Sequence, residues 1–162
     1  MTYDFDTPVD RSGTYSLKWE EAGDALPMWV ADMEFQTAPQ IRAALQQRLV
    51  HGIFGYSIVP PAWNQAYVDW WHRRHNLDID PESLVFSTGV VPAISSMVRK
   101  LTTANENVLI QTPVYNIFFN SIINNGCRVL ESPLEYDGSG HYSINWADLE
   151  SKLADPQTTL MI

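Results

Sequence analysis

Short apolar runs that alternate with helix-like stretches constrain the fold of this chain more than any other feature of its sequence. Each run is three to five residues long, as buried strands often are. Between the runs, apolar residues recur every three or four positions, which is the spacing of amphipathic helices. This alternation predicts βαβ units and an α/β fold with a mainly parallel sheet. The runs are residues 84–86, 108–110, 128–130 and 158–162.

The turn Ser87-Thr88-Gly89 follows the first apolar run and leads into a helix-like stretch. Pro92 fits the first turn of that helix, where its missing N–H costs nothing. Gly89 lets the backbone turn sharply and approach a ligand. The N–H groups of Gly89, Val90 and Val91 would face outward at the positive end of the helix dipole, which predicts a phosphate site. An ordinary turn without a ligand is the alternative.

A second turn, residues 111–115, follows the next apolar run. Ligands of parallel sheets bind at the carboxyl ends of the strands, so this turn and residues 87–89 could face one crevice. Tyr115 would offer a flat surface on which a planar ring can stack. Simple packing of Tyr115 in the protein is the alternative.

Residues 1–36 read as an extended arm, and residues 26–35 are its apolar patch. Asp32 stands among apolar side chains in that patch. A carboxylate in such surroundings needs a hydrogen-bond donor or a cation. Asp32 is therefore interpreted either as a cap of a helix or turn, or as a residue at a site entrance.

A first helix is predicted to start with Thr37 as its cap and Pro39 in its first turn, and to end near His51-Gly52. The glycine-flanked loop that follows carries Tyr56. Its phenol could donate a hydrogen bond to an anion, or Tyr56 could be a core residue with a satisfied hydroxyl. A long helix with an aromatic stripe is predicted from Pro60 onward.

Composition narrows the classes of partner. The 162 residues are 45% hydrophobic and 18% charged, which is typical of a globular protein. A net charge of −9 without any basic run argues against nucleic acid and anionic membranes as partners. The lone Cys127 excludes an internal disulfide and a cysteine-based metal cluster, and no metal site is predicted. The N-terminal residues lack a signal-peptide pattern, which predicts a cytoplasmic location.

The last apolar run reaches Ile162 with no crossover helix after it. A parallel sheet needs helices on both faces. We therefore expect the chain to be part of a longer polypeptide.

Four segments, in this order, resemble the N-terminal part of fold type I pyridoxal-phosphate (PLP) enzymes. The likeness is greatest to the C-S β-lyases of the cystathionine β-lyase-like branch of the class I and II aminotransferase superfamily. The segments are residues 27–35, 51–56, 87–91 and 111–115.

The resemblance implies a three-layer α/β/α PLP-dependent transferase-like large domain, here incomplete, preceded by an N-terminal arm and helix. Residues 1–50 would be the arm and first helix, belonging to the small domain and the dimer contact. Residues 51–162 would be the N-terminal part of the PLP-binding large domain.

The resemblance also implies roles for single residues. The backbone of Gly89, Val90 and Val91 would hold the phosphate of pyridoxal 5′-phosphate, and Tyr115 would stack on its ring. Tyr56 would reach the phosphate in the neighbouring subunit, which implies a homodimer.

Val30, Ala31 and Asp32 would line the substrate entrance, with Ala31 near the substrate carboxylate. Glu34 stands where the family more often has aspartate.

A PLP enzyme also needs a Schiff-base lysine, and none of Lys18, Lys100 and Lys152 matches the family position. All three are interpreted as solvated charges, so this chain would hold no catalytic residue and would be inactive alone.

For the full-length protein the resemblance implies a C-S β-lyase. It would act on cystathionine or cysteine conjugates and release thiol, pyruvate and ammonia. A class I/II aminotransferase and a non-catalytic fragment or interaction module are the alternatives.

Overall fold

The structure, a computed structural model, describes residues 3–162. The chain divides into two compact units, of which the first ends at Ile58 and the second is Val59–Ile162. The predicted boundary between residues 50 and 51 refers to family domains and stays a prediction. No helix among the described residues is both long enough and apolar enough to span a membrane.

The first unit contains two helices, α1 (Leu17–Glu20) and α2 (Pro39–His51). Pro39 opens α2 as predicted, and Gly52 ends it in the left-handed conformation, with φ of 72° and its N–H bonded to the Arg48 carbonyl. The predicted Thr37 cap is wrong. Ala38 occupies the capping position and makes no side-chain bond, because the helix begins directly after it.

The second unit opens with helix α3 and a short 3₁₀ turn at Pro81–Ser83, and then alternates helices and strands. The aromatic stripe predicted from Pro60 onward therefore lies on a helix. The elements are α3 (Pro61–His75), α4 (Val90–Leu101), β1 (Asn107–Ile110), α5 (Ile117–Ile123), β2 (Arg128–Glu131), β3 (Glu135–Tyr136), β4 (Tyr142–Ser143), α6 (Trp146–Leu153) and β5 (Thr158–Met161).

Strand β1 is the centre of a three-stranded sheet in the order β2-β1-β5. Both of its neighbours run parallel to it, with Val108 opposite Val129 on one side and Leu160 on the other. The predicted parallel sheet is therefore confirmed. Strands β3 and β4 pair as a separate antiparallel hairpin.

The strand order places helices on both faces of the sheet. The chain steps from β1 to β2 through α5, and then returns across β1 to β5 through α6. Crossovers between parallel strands are right-handed, so two crossovers that run in opposite directions lie on opposite faces. This topology gives the three layers of the predicted α/β/α fold.

Burial along β1 agrees with that layering. Val108 and Ile110 join one apolar cluster with α4 and α5, in which Val98 and Ile122 are also fully buried. Leu109 points to the other face, because side chains alternate along a strand. It is also fully buried but lies outside that cluster. The core therefore occupies both faces of β1.

The strand predicted at residues 84–86 is wrong. The backbone there is extended, as at Leu84 with φ of −80° and ψ of 123°, but it pairs with no strand of the described chain. Val85 is 87% exposed. An extended apolar run forms a strand only where a second strand bonds to its backbone N–H and C=O groups. The sequence pattern of the run does not show whether such a second strand is present.

Helix α6 begins with a side-chain cap. The Asn145 side chain accepts a hydrogen bond from the Asp148 N–H at 3.0 Å. Asp148 also accepts from the buried Ser132 hydroxyl at 2.7 Å and pairs with Lys152 at 2.7 Å. These contacts tie α6 to the end of β2.

Replacing the cap, Asn145→Ala, should lower the free energy of local opening of α6 by about 0.5–2 kcal/mol. Hydrogen exchange of the α6 amides measures this quantity. Asn116→Ala is the matched control, because Asn116 precedes α5 without a side-chain cap bond. Equal effects of the two substitutions on their helices would contradict the role of the Asn145 cap.

Candidate functional site

The turns before α4 and α5 lie toward the same edge of the sheet. Helix α4 leads into the start of β1, and α5 leads into the start of β2. The carboxyl-terminal ends of α4 and α5 lie close together, because the hydroxyl of Thr102, directly after α4, is 3.0 Å from the sulfur of the buried Cys127, which lies between α5 and β2. The two packed helices therefore run side by side, and α4, about 18 Å long, begins toward the carboxyl edge where α5 also begins.

Gly89 was expected to be needed for a sharp turn of the backbone, and the structure does not support this. Its φ of 169° and ψ of 170° are extended values that any residue adopts. A Cβ built on Gly89 would meet only the Pro92 ring, at 3.5 Å, which is an ordinary contact. The protein therefore has room for a side chain at position 89. Of the two reasons given for a glycine here, only the close approach of a ligand is left.

The N-terminus of α4 has no internal partners for its first donors. No side chain caps it, and within residues 3–162 the N–H groups of Gly89, Val90 and Val91 have no acceptor. The Ser87 hydroxyl donates to the Gly89 carbonyl at 3.0 Å and leaves these donors free. Unpaired N–H groups at the positive end of a helix of twelve residues fit a phosphate group.

Tyr115 lies in the loop between β1 and α5, because α5 starts at Ile117, two residues later. Its side chain is 62% exposed, and Phe118 meets its ring edge-on with centroids 6.2 Å apart. An exposed ring held by an edge contact can stack on a planar ligand. Stacking of Tyr115 on a ligand stays a prediction.

Tyr56 is fully exposed in the loop that follows α2. The alternative of a core tyrosine with a satisfied hydroxyl is therefore wrong. The flanking glycines and the absence of regular structure between α2 and α3 keep this ring out of any core.

The arm brings Asp32 to a cation. Its carboxylate pairs with the Arg11 guanidinium at 2.6 Å, so the predicted need for a donor or cation is confirmed. The alternative of a helix or turn cap is wrong, since no backbone N–H of the described residues donates to this carboxylate. Val30 is half-buried and Ala31 is exposed beside it.

Lys18 is buried, with only 8% of the residue exposed, so its interpretation as a solvated charge is wrong. Its ammonium lies 2.6 Å from the Glu34 carboxylate and donates to the Asp32 carbonyl at 2.9 Å. The Trp19 indole N–H also donates to Glu34, at 3.0 Å. Lys152 is likewise paired, whereas Lys100 is exposed on α4 as predicted.

The ion pairs that Arg11 and Lys18 make with Glu34 are not predicted from the sequence, although the sequence carries one signal for them. Arg11 and Lys18 are the two basic residues of positions 1–36, against eight carboxylates. Two cations among so many acids are expected to be paired. Which acidic residues these two cations pair with depends on the path of the arm, and the arm has no periodicity from which that path can be predicted.

Ion pairing shifts the ionisation of the arm. The Lys18 ammonium, ahead of the Trp19 and Arg11 donors, holds the pKa of Glu34 below its ordinary value of 4.5. Hydrogen bonding to Asp32 raises the pKa of Arg11 above its ordinary value. Both groups are therefore charged throughout the neutral range, and the pairing persists there.

A cavity of about 440 Å³ lies within the first unit rather than at the sheet edge. Tyr3, Phe5, Pro39 and Arg42 are among its lining residues. The sequence does not predict this cavity, because the arm has no periodicity from which its path can be read.

The fold and the donor-rich sheet edge define an α/β protein of the kind that binds anionic ligands at strand ends. A family model described as aminotransferase class I and II matches residues 26–162. The chain belongs to this family, which confirms the resemblance found in its four segments.

Similar proteins share both sequence and fold with this chain. Cystathionine beta-lyase PatB of Bacillus subtilis (strain 168) is 44% identical over an alignment of 165 positions, which covers 98% of this chain and 42% of that protein. Cystalysin of Treponema denticola, whose crystal structure contains a pyridoxal 5′-phosphate cofactor, is 32% identical with a TM-score of 0.90, over 99% of this chain and 43% of that chain.

A PLP-bound putative aminotransferase from Clostridium difficile 630 is 43% identical with a TM-score of 0.88, and the match covers 95% of this chain and 41% of that chain. The present chain thus spans less than half the length of the relatives it matches.

Acid should loosen the arm through Glu34. Because its folded pKa lies below 4.5, its ion pairs stabilise the arm above that pH, and this stabilisation is lost as the pH falls through the lower folded value. Carbon NMR of the Glu34 carboxyl should give a midpoint below 4.5, and Lys18→Met should raise it. The exposed Lys100→Met is the control, and a midpoint that ignores Lys18 would contradict the assignment.

Proposed function

We propose that this chain is the cofactor-anchoring part of a PLP-dependent C-S β-lyase. One observation carries the proposal: an uncapped α4 N-terminus and the exposed Tyr115 ring lie toward one edge of a parallel sheet. Membership of the class I and II aminotransferase family and the names of the lyase relatives support it. The activity is proposed for the full-length protein.

In this proposal the phosphate of the cofactor binds the N–H groups of Gly89, Val90 and Val91. The chain carries a net charge of −9, so backbone amides and a helix dipole replace the basic side chains that would otherwise hold an anion. Tyr115 covers one face of the pyridine ring. The free donors and the exposed ring fit such a group.

The cofactor, when bound, supplies an electron sink that makes the α-proton of an amino acid acidic. A substrate with a sulfur group on its β-carbon then loses that group as a thiol, and hydrolysis leaves pyruvate and ammonia. No lysine of this chain is assigned as the covalent partner of the cofactor, because Lys18 and Lys152 are engaged in ion pairs and Lys100 is exposed on α4.

The arm would serve the substrate. We propose that Val30, Ala31 and Asp32 line the substrate entrance, with Ala31 near the substrate carboxylate. Because the carboxylate of Asp32 is already paired with Arg11, its role there would be to hold the segment rather than to move a proton. The substrate is a sulfur-containing amino acid such as cystathionine.

A homodimer would complete the site. The fully exposed Tyr56 would donate its hydroxyl to the cofactor phosphate of the neighbouring subunit. Residues 1–50 would then belong to the small domain and dimer contact, and residues 51–162 to the large domain. The cytoplasmic location stays a prediction.

An aminotransferase is the second candidate, favoured by the name of the Clostridium difficile relative. The two activities share removal of the α-proton. They differ in whether the substrate then loses its β-group or exchanges its amino group with a 2-oxo acid.

Adding one methyl group, Gly89→Ala, tests the phosphate site. The extended backbone accepts alanine, so the stability of the apo-protein should be unchanged or higher by about 0.4–1 kcal/mol. The methyl group should obstruct the phosphate and weaken PLP binding about tenfold or more, the loss expected for one charge-assisted hydrogen bond. Absorbance titration of the full-length apo-protein measures the affinity.

Ser96→Ala is the control for Gly89→Ala, because Ser96 is exposed on the same helix beyond its first turn. Unchanged PLP affinity in the Gly89→Ala protein would show that the phosphate binds elsewhere.

The full-length protein, incubated with cystathionine, should release thiol, pyruvate and ammonia in equal amounts. Lactate dehydrogenase measures the pyruvate, and a thiol reagent measures the thiol. Transfer of the amino group to an added 2-oxo acid without ammonia would decide for the aminotransferase. Absence of both reactions would refute the proposed function.

A further inference from the structure

The segment between Pro27 and Phe35 has few anchors. Among the described residues, no backbone–backbone hydrogen bond involves residues 26–37. Met28 and Met33 are largely exposed. Apolar packing holds the two ends of the segment, where Pro27 is buried and the Phe35 ring meets the Phe5 ring edge-on. Between these ends, no backbone pairing within the described chain fixes Val30, Ala31 and Asp32.

Lys18 supplies the missing anchor. Its ammonium donates to the carbonyl of Asp32 at 2.9 Å, the one hydrogen bond to the backbone of residues 27–35 in the described chain. The same ammonium pairs with Glu34 at 2.6 Å. One buried cation thus holds the segment by its backbone and by a side chain, and burial strengthens both contacts.

Arg11 and Trp19 also bind this segment, and together with Lys18 they are called the clamp below. Arg11 holds the Asp32 carboxylate at 2.6 Å and reaches Glu34 at 3.3 Å, while its other nitrogen donates to the Ser16 hydroxyl at 2.8 Å. The Trp19 indole donates to Glu34 at 3.0 Å. Asp32 is therefore fixed at its carbonyl and at its carboxylate, which leaves its neighbours Val30 and Ala31 in a set position.

We propose that Lys18 is a positioning residue for the amino-acid substrate, which it serves by fixing the segment Val30-Ala31-Asp32. The inference rests on the proposed function, because it assumes that this segment meets the substrate. Lys18 touches neither substrate nor cofactor in this role. Loss of the lysine should weaken binding of the substrate and spare the chemical step.

The test is Lys18→Met in the full-length, PLP-loaded protein. KM for cystathionine should rise about tenfold, as expected for loss of a charge-assisted contact, while kcat should change less than about threefold. Amide hydrogen exchange in residues 26–36 should accelerate, and PLP absorbance should be unchanged. Lys18→Arg keeps the cation and should restore most of the substrate affinity.

Lys152→Met is the matched control. Lys152 makes the same pair of contacts in the second unit, with a carbonyl (Glu131, 2.6 Å) and a carboxylate (Asp148, 2.7 Å). KM should be unchanged in this variant. Should Lys18→Met fail to fold, Glu34→Gln, which weakens the same clamp, should raise KM and exchange in the same direction.

Two results would overturn the inference alone. One is normal KM in Lys18→Met despite faster exchange of the segment, and the other is unchanged exchange. A parent protein without lyase or aminotransferase turnover would instead refute the proposed function, and the inference with it.

Discussion

The full burial of β1 is the constraint on which the second unit depends. Val108, Leu109 and Ile110 are completely inaccessible, and side chains on a strand alternate between faces. Helices must therefore cover both faces of β1, and neighbouring strands must form hydrogen bonds with the backbone groups along both of its edges. The chain meets these demands with β2 on one side and β5 on the other, joined by crossovers on opposite faces.

That arrangement also places the candidate site. The loops that leave β1 and β2 depart toward opposite faces, which is the geometry that opens a crevice at the carboxyl ends of a parallel sheet. Helix α5 follows β1 and so begins at this edge, and α4, packed beside α5, begins toward the same edge. The free donors of α4 and the ring of Tyr115 gather there as a consequence of how the core is covered.

The arm is stabilised by a different kind of interaction. Its segment around Asp32 lacks backbone pairing, and two cations hold it through carboxylates and one carbonyl. Charge pairs depend on pH and on the exact partners present, whereas apolar burial does not. The residues proposed to meet the substrate are thus held by ion pairs, and the substitution of a single charged residue can remove such a pair.

The sequence by itself determined the parallel α/β class, the helix boundaries at Pro39 and Gly52, and the two turns that carry Gly89 and Tyr115. These features are local, since spacing and turn residues are read within a few positions of the chain. Only the tertiary structure decided that residues 84–86 pair with no strand, that Lys18 is buried, and that Gly89 adopts an ordinary extended conformation. The first two depend on which distant residues come close, and the third depends on the path of the backbone into α4. The spacing of residues along the sequence determines neither.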